Sequence, residues 1–305
     1  MSAYLTILAL IAVGYLMARA RLFPAAAPEV LNRVVLYLCL PALILIHVPT
    51  LEPSWSLLPL VLIPWLLLAV TIAVVLPLSR LLALPREVTA ALLVLIPLGN
   101  TSFLGFPLID ALLGPEFIRL AVVYDQFGSF LIVCTHVLFV IGWYGEGDNP
   151  SFRVMARRIV GFPPFLALIL ALALGNAWLP EWGEVLVHRF ADMLLPLVTL
   201  AIGMSLKLRL VPDYRLGLVI GLVGKLLVLP ALALGLAWLF RADAGVATVA
   251  VLESAMPPMI TAAALLASAR LAPALGSALV AWGVLLSAAT VPAWFWLCTV
   301  LFGPV

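Results

Sequence analysis

Four ionisable side chains lie inside or close to long apolar runs: Asp125 in VVYDQFG, Asp192 in RFADMLL, Lys225 in GLVGKLL and Glu253 in VLESAMP. Charges at such positions are costly in a bilayer and point to proton relays, ion sites or substrate contacts. Glu253 is the deepest of them and precedes Pro257 and Pro258 by one helical turn. It is therefore the first candidate for a proton or sodium site. Asp125 and its neighbour Gln126 could complete that ion site, or Asp125 could pair with Lys225, since buried charges find partners. Lys225 follows Leu216 closely enough that snorkelling to the nearer interface is an equal reading. Asp192 sits near the outer end of its run and reads as interfacial.

Two of the apolar runs are interrupted. One contains PLGNTSFLGFP, from Pro97 to Pro107, and the other ESAMPPM, from Glu253 to Met259. Loose backbone in a bilayer is tolerated only beside protein or water. A proline has no N–H, so Pro97 frees the carbonyl of Leu93, Pro107 that of Phe103, Pro257 that of Glu253 and Pro258 that of Ser254. Such carbonyls can face a cation. The helices that restart after the breaks offer N–H groups and a positive dipole end suited to a carboxylate. Asn100, Thr101 and Ser102 add side-chain donors there, which makes Asn100, Thr101, Ser102, Pro257 and Pro258 the candidate substrate-binding residues.

The elements that must hold these groups are membrane helices. Of 305 residues, 66% are hydrophobic and 10% charged, and the mean hydropathy is +1.26. The apolar runs are far longer than the alternating segments of a membrane barrel. They predict ten spans: 2–18, 31–48, 57–78, 88–113 and 117–143, then 159–179, 185–206, 216–240, 245–269 and 274–301. The first, with Arg19 and Arg21 behind its apolar stretch, reads as an uncleaved span rather than a signal peptide. Between the halves lies YGEGDNPSFRVMARR, in which Asn149 and Pro150 resemble the cap and first turn of a short surface helix.

Arginine and lysine are retained on the cytoplasmic side. Arg19, Arg21, Arg33, Arg80, Arg86, Arg153, Arg157, Arg158, Lys207, Arg209, Arg215 and Arg270 fall at alternate loops, against Arg119, Arg189 and Arg241 at the others. Both termini are therefore expected outside, with the central loop in the cytoplasm. Trp143, Tyr144, Trp178 and Trp182 fit interfacial belts at span ends.

A repeat is also legible. EVLNRVVLYLCLPAL, from Glu29, aligns without a gap on EVLVHRFADMLLPLV, from Glu184, and at the same offset the broken fourth span falls on the broken ninth. An odd number of spans between copies inverts the second copy. The expected architecture is an all-α polytopic membrane protein with ten transmembrane helices in a 5+5 inverted repeat and broken, crossing helices 4 and 9. Its parts are a first repeat over 1–143, a short cytoplasmic loop over 144–158 and a second repeat over 159–305. Paired interruptions in corresponding positions mark a substrate site in secondary transporters.

The motifs GNTSFLGFP, LYLCLPALIL and ESAMPPMITAAALLA together resemble the auxin efflux carrier family, across essentially the whole chain. The resemblance implies ten spans, a scaffold part, a transport part, a crossing of helices 4 and 9 at mid-membrane, and export or exchange of small organic anions. The pattern Glu-x-x-Met in the ninth span is also similar to the bile-acid sodium symporters, in which a glutamate at the crossing helps bind sodium. Unlike the plant hormone exporters, this chain has a short central loop, so regulation by phosphorylation of that loop is not expected.

The expected function is secondary active transport of small carboxylates by alternating access. The alternatives are a sodium-coupled symporter of a larger amphipathic anion and, further off, an anion channel. No enzyme activity is expected: neither Asp125 nor Asp192 has the surroundings of an intramembrane protease site, and GMSL is no nucleophile motif. No cofactor is expected beyond a coupling ion, sodium or proton, and no catalytic or metal-ligand set is discernible. His47, His136 and His188 are scattered, with His136 read as a satisfied core residue. Cys39, Cys134 and Cys298 read as buried packing residues. The partners expected are a small organic anion and the lipid bilayer of the inner (plasma) membrane, with a homodimer as the candidate assembly and no nucleic acid.

Overall fold

The computed structural model describes residues 2–303 apart from 53, 146–152, 154–156, 158, 176–179 and 209–211. Among the described residues the chain is almost entirely helical. In chain order the helices are α1 (Ser2–Arg19), α2 (Ala27–Thr50), α3 (Trp55–Leu81), α4 (Arg86–Leu95), α5 (Thr101–Leu112) and α6 (Pro115–Tyr144). After the central connection come α7 (Pro163–Leu174), α8 (Glu181–Ser205), α9 (Pro212–Leu239), α10 (Ala244–Ala255), α11 (Ile260–Ser268) and α12 (Pro273–Phe302). Six of them, α2, α3, α6, α8, α9 and α12, are long and apolar enough to cross a membrane. The expected cap at Asn149 and Pro150, and the belt residue Trp178, lie outside the described residues.

Helix ends follow local chemistry. Pro163 and Pro273 occupy first-turn positions of α7 and α12, where the missing N–H costs nothing. Helices α1, α3, α9 and α11 end with Arg21, Ala83, Arg241 and Arg270 in left-handed conformation. In each case the following N–H closes a six-residue loop: Leu22 onto Met17, Leu84 onto Ser79, Ala242 onto Ala237 and Leu271 onto Leu266. Three of these four positions hold arginine, whose charge complements the negative end of the helix dipole.

The chain divides into two compact units. One comprises residues 1–54, 102–122 and 157–206; the other comprises 55–101, 123–156 and 207–305. In the first unit α1 lies along the second half of α8. Gly14 meets the Leu200 backbone and Gly203 meets the Ile11 backbone so closely that a Cβ at either would collide with a carbonyl. Small residues permit such approach between membrane helices.

The second unit contains both interruptions. Helix α4 stops at Leu95, and Pro97 and its neighbours run without helix to Asn100. Helix α10 stops at Ala255, and α11 restarts at Ile260. Between the stops, Gly99 and Pro258 form an antiparallel bridge: the Asn100 N–H donates to the Pro257 carbonyl at 2.8 Å, and the Met259 N–H donates to the Leu98 carbonyl at 3.1 Å. The two breaks thus satisfy part of each other's backbone, which hydrocarbon would not. Every residue from Val88 to Leu95 and from Val246 to Ala255 is buried. These stretches of the two half-helices are enclosed by protein, the polar Thr248, Glu253 and Ser254 included.

Candidate functional site

The site is built on this bridge and on two neighbouring helices that carry wide, π-helical turns. In α6 the turn spans Asp125–Phe130, and in α9 it spans Gly224–Val228. Such turns insert an extra residue and re-aim side chains, and they concentrate at functional sites. Here they deliver Asp125, Gln126 and Lys225 to the crossing.

Within each of these turns one carbonyl accepts from a tryptophan of an adjacent helix. The indole N–H of Trp65 donates to the Phe127 carbonyl at 2.9 Å, and that of Trp294 donates to the Leu226 carbonyl at 2.9 Å. Close packing accompanies the first contact, because a Cβ at Gly128 would overlap the Pro64 ring. The sequence reading missed both tryptophans. Their signal is a tryptophan just after a proline in mid-run, in PW at 64–65 and PAW at 292–294, away from any interfacial belt.

Three of the four carbonyls that proline frees have partners outside the regular ladder. Leu93, released by Pro97, accepts from His136 Nε2 at 3.1 Å. Ser254, released by Pro258, accepts from Lys225 Nζ at 3.0 Å. Glu253, released by Pro257, receives only a long 3.3 Å bond from the Met256 N–H. Lys225 is 1% exposed. The snorkelling reading therefore fails: the lysine stays at the crossing because the orphaned Ser254 carbonyl gives its amine a partner there. His136, read as a satisfied polar residue, is part-buried with its Nε2 on the Leu93 carbonyl.

Around the bridge the side chains form an acceptor-rich cluster. Thr101 donates its hydroxyl to Asp125 Oδ1 in a short hydrogen bond, and Gln126 Nε2 donates to Asp125 Oδ2 at 2.7 Å. Thr101, Asp125 and Gln126 are each 1% exposed, and Asn100 is 3% exposed. Glu253 is 0% exposed, and neither of its carboxylate oxygens has a hydrogen-bond partner among the described residues. Asp125 and Lys225 are both within electrostatic range of it. Asn100 Nδ2, Gln126 Oε1 and Thr248 Oγ1 are likewise buried without partners. Gly99 marks the tightest point. A Cβ there would lie 3.1 Å from Lys225 Nζ and 3.1 Å from the Glu253 carbonyl oxygen.

Of the candidate residues, the structure gathers Asn100, Thr101, Asp125, Gln126, Lys225, Glu253, Pro257 and Pro258 in one unit. Ser102 is half-buried and belongs to the other. The Asn100 N–H is engaged in the bridge, so the donor it still offers is its side-chain amide. Asp192 is exposed, as an interfacial residue should be. Cys39, Cys134 and Cys298 are buried and form no disulfide. Among the described residues no group of three or more His, Cys, Asp or Glu could hold a metal ion.

Buried ionisable groups and paired helix interruptions of this kind are features of membrane transporters. Comparison with known proteins agrees. The chain is 30% identical over 302 residues to an uncharacterized transporter of Methanothermobacter thermautotrophicus, covering 95% of each chain. It is 24% identical over 266 residues to an uncharacterized transporter of Methanocaldococcus jannaschii, covering 84% of this chain and 85% of the other. The Membrane transport protein family matches residues 1–295, nearly the whole length. This chain therefore belongs to the Membrane transport protein family, the auxin efflux carrier-like transporters that its interrupted-helix motifs resemble.

Proposed function

We propose that this protein is a secondary active transporter of small organic carboxylates that works by alternating access, with substrate held at the α4–α5 and α10–α11 breaks and net flux coupled to protons through Glu253. The observation that carries the reading is the Glu253 carboxylate, fully buried with both oxygens unpartnered. Such a group is tolerable only if a proton or a cation reaches it during the cycle. The neighbouring Ser254 carbonyl already holds the Lys225 amine. The lysine thus stands where a cation such as sodium would look for ligands, and a proton on Glu253 is the simpler coupling species. The unpartnered amide of Asn100 is the donor left for a substrate carboxylate.

The transporter has ten spans in two inverted five-helix repeats, 1–143 and 159–305, joined by a cytoplasmic loop over 144–158. It resides in the inner (plasma) membrane with both termini outside. The composition of the units supports the repeat: the first unit takes its 1–54 from one half and its 157–206 from the other, and the second is likewise drawn from both. The matched tryptophan bonds, Trp65 to Phe127 and Trp294 to Leu226, support it too. The arginine and lysine asymmetry supports the orientation.

Purified protein in liposomes, supplied with a panel of mono- and dicarboxylates under an imposed proton or sodium gradient, tests the reading. Wild-type flux should saturate and follow the proton gradient. Glu253→Gln mimics the protonated state; it should bind substrate and exchange it while losing the response of net flux to pH. Wild-type coupled flux in this variant would remove Glu253 from the coupling step. A sodium-dependent loss of binding would favour the sodium reading, because an amide is a poorer ligand for a hard cation than a carboxylate.

A further inference from the structure

Away from the crossing, the second unit has a lateral groove between α3, α4 and α6, of about 450 Å³, lined by Ile72, Leu76, Leu93, Phe139, Val140 and Trp143 along its apolar length. Phe139 and Trp143 stack with ring centroids 6.1 Å apart and are more than half exposed on the flank of a membrane-spanning helix. At the deep end lies His136, whose Nε2 hydrogen is engaged by the Leu93 carbonyl, so that end makes little polar demand on a ligand. At the other end are Arg80 and Tyr144.

Tyr144 also lines a second cavity of about 260 Å³ that holds Arg86, Glu87 and Arg270. The Arg86 guanidinium lies over the Tyr144 ring at 5.4 Å and donates to the Trp143 carbonyl. Among the described residues, none of the three arginines forms a salt bridge. Glu87, the one carboxylate among the described residues that line the second cavity, accepts a hydrogen bond from the Tyr214 hydroxyl. Among the described residues, three arginines against one carboxylate make a net positive mouth above an apolar slot, bordered by Trp143 and Tyr144 as at a membrane interface.

We propose that the groove is a binding site for one anionic glycerophospholipid, its phosphate between Arg80, Arg86 and Arg270 and an acyl chain along the Phe139–Trp143 face. Charge complementarity fixes the head, because basic pockets between membrane helices select anionic headgroups. The apolar slot beside it fixes the tail. Arginine suits the role, since its planar fork matches phosphate oxygens. The site is separate from the crossing, so it stands or falls without regard to the transported solute.

The test measures the melting temperature of the full chain in a neutral detergent, with added phosphatidylglycerol, phosphatidylcholine of the same chains, or inorganic phosphate alone. A ligand that binds the folded state raises that temperature. Phosphatidylglycerol should raise it by several degrees, and the other two should not. Arg80→Gln with Arg270→Gln should abolish most of that gain while leaving the lipid-free melting temperature near wild type, because both side chains are exposed and neither has a hydrogen-bond partner among the described residues. Native mass spectrometry of the wild type, which does not depend on how the variants fold, should retain phosphatidylglycerol in preference to phosphatidylcholine. Equal gains from the two lipids would reduce the site to a general acyl slot. A gain from phosphate alone would make it a free-phosphate site. Either result, or a double variant that keeps the full gain, overturns the proposal.

Discussion

At the first break Pro97 releases the Leu93 carbonyl and a histidine from α6 takes it; at the second, Pro258 releases the Ser254 carbonyl and a lysine from α9 takes it. The backbone device is the same, and the bridge between Gly99 and Pro258 ties the two together. Their side chains differ. Around the first break Thr101 and Gln126 donate to Asp125, and the carboxylate is held by neighbours. Around the second, neither carboxylate oxygen of Glu253 receives a donor among the described residues. The first break therefore reads as a frame, and the second as the place where a charge must change partners. A carboxylate held by two donors is fixed in place, although Asn100 Nδ2 and Gln126 Oε1 beside it lack partners among the described residues, whereas a buried carboxylate left unmet is the one that responds to a proton or ligand.

The sharpest way to break this contrast is to remove the two carbonyl caps separately. Lys225→Met should abolish coupled transport and lower thermal stability, because it orphans the Ser254 carbonyl and takes the amine from the neighbourhood of Glu253. An orphaned buried acceptor costs about 1–3 kcal/mol. Combining Lys225→Met with Glu253→Gln should recover only the part of the loss that comes from leaving the Glu253 charge without the nearby amine, since the Ser254 carbonyl stays orphaned, and should not recover coupling. His136→Phe should cost comparable stability at the first break yet retain measurable, gradient-driven flux. Both are read from proteoliposome uptake beside a melting curve of the same preparation. If His136→Phe stops transport as completely as Lys225→Met, the frame and the responsive break are not distinct.

A smaller effect is expected at the point where the breaks touch. Gly99 has no Cβ because one would come within 3.1 Å of both Lys225 Nζ and the Glu253 carbonyl. Gly99→Ala should therefore shift the lysine by a few tenths of an ångström and lower the maximal transport rate several-fold, with expression and substrate binding near wild type. An unchanged rate would mean that the lysine has room to spare and that its position is not critical.

Much of this arrangement was legible in the sequence, for definite reasons. The membrane class followed from composition, and the breaks followed from proline, whose missing N–H acts through the chain itself and needs no tertiary knowledge. The i−4 rule also named Leu93 and Ser254 as released carbonyls. What would claim them was not legible, because His136 and Lys225 reach them from helices 43 and 29 residues away in sequence. The burial of Lys225 was undecidable for the same reason: its distance from the interface allowed snorkelling, and only the partner on α10 settled the choice. Wide turns in α6 and α9 leave no clear mark on an apolar run. Trp65 and Trp294, which satisfy them, were passed over because a tryptophan in a membrane protein is first read as an interfacial belt.

Those two tryptophans give the finest comparison between the breaks. Each donates one 2.9 Å hydrogen bond to a carbonyl inside a wide turn, Trp65 beside Asp125 and Trp294 beside Lys225. Phenylalanine keeps most of the ring and removes the donor. Each of Trp65→Phe and Trp294→Phe should cost about 0.5–1.5 kcal/mol, the net worth of an ordinary hydrogen bond, and lower the melting temperature by a few degrees. Their effects on transport should diverge. The turn that Trp65 supports carries Asp125, which stays tied to Thr101 and Gln126. The turn that Trp294 supports carries Lys225, whose hydrogen bond to Ser254 depends on where that turn sits. Trp294→Phe should thus reduce coupled flux more than Trp65→Phe at equal loss of stability. Equal flux in the two variants would mean that the wide turns hold their side chains without help from the indoles.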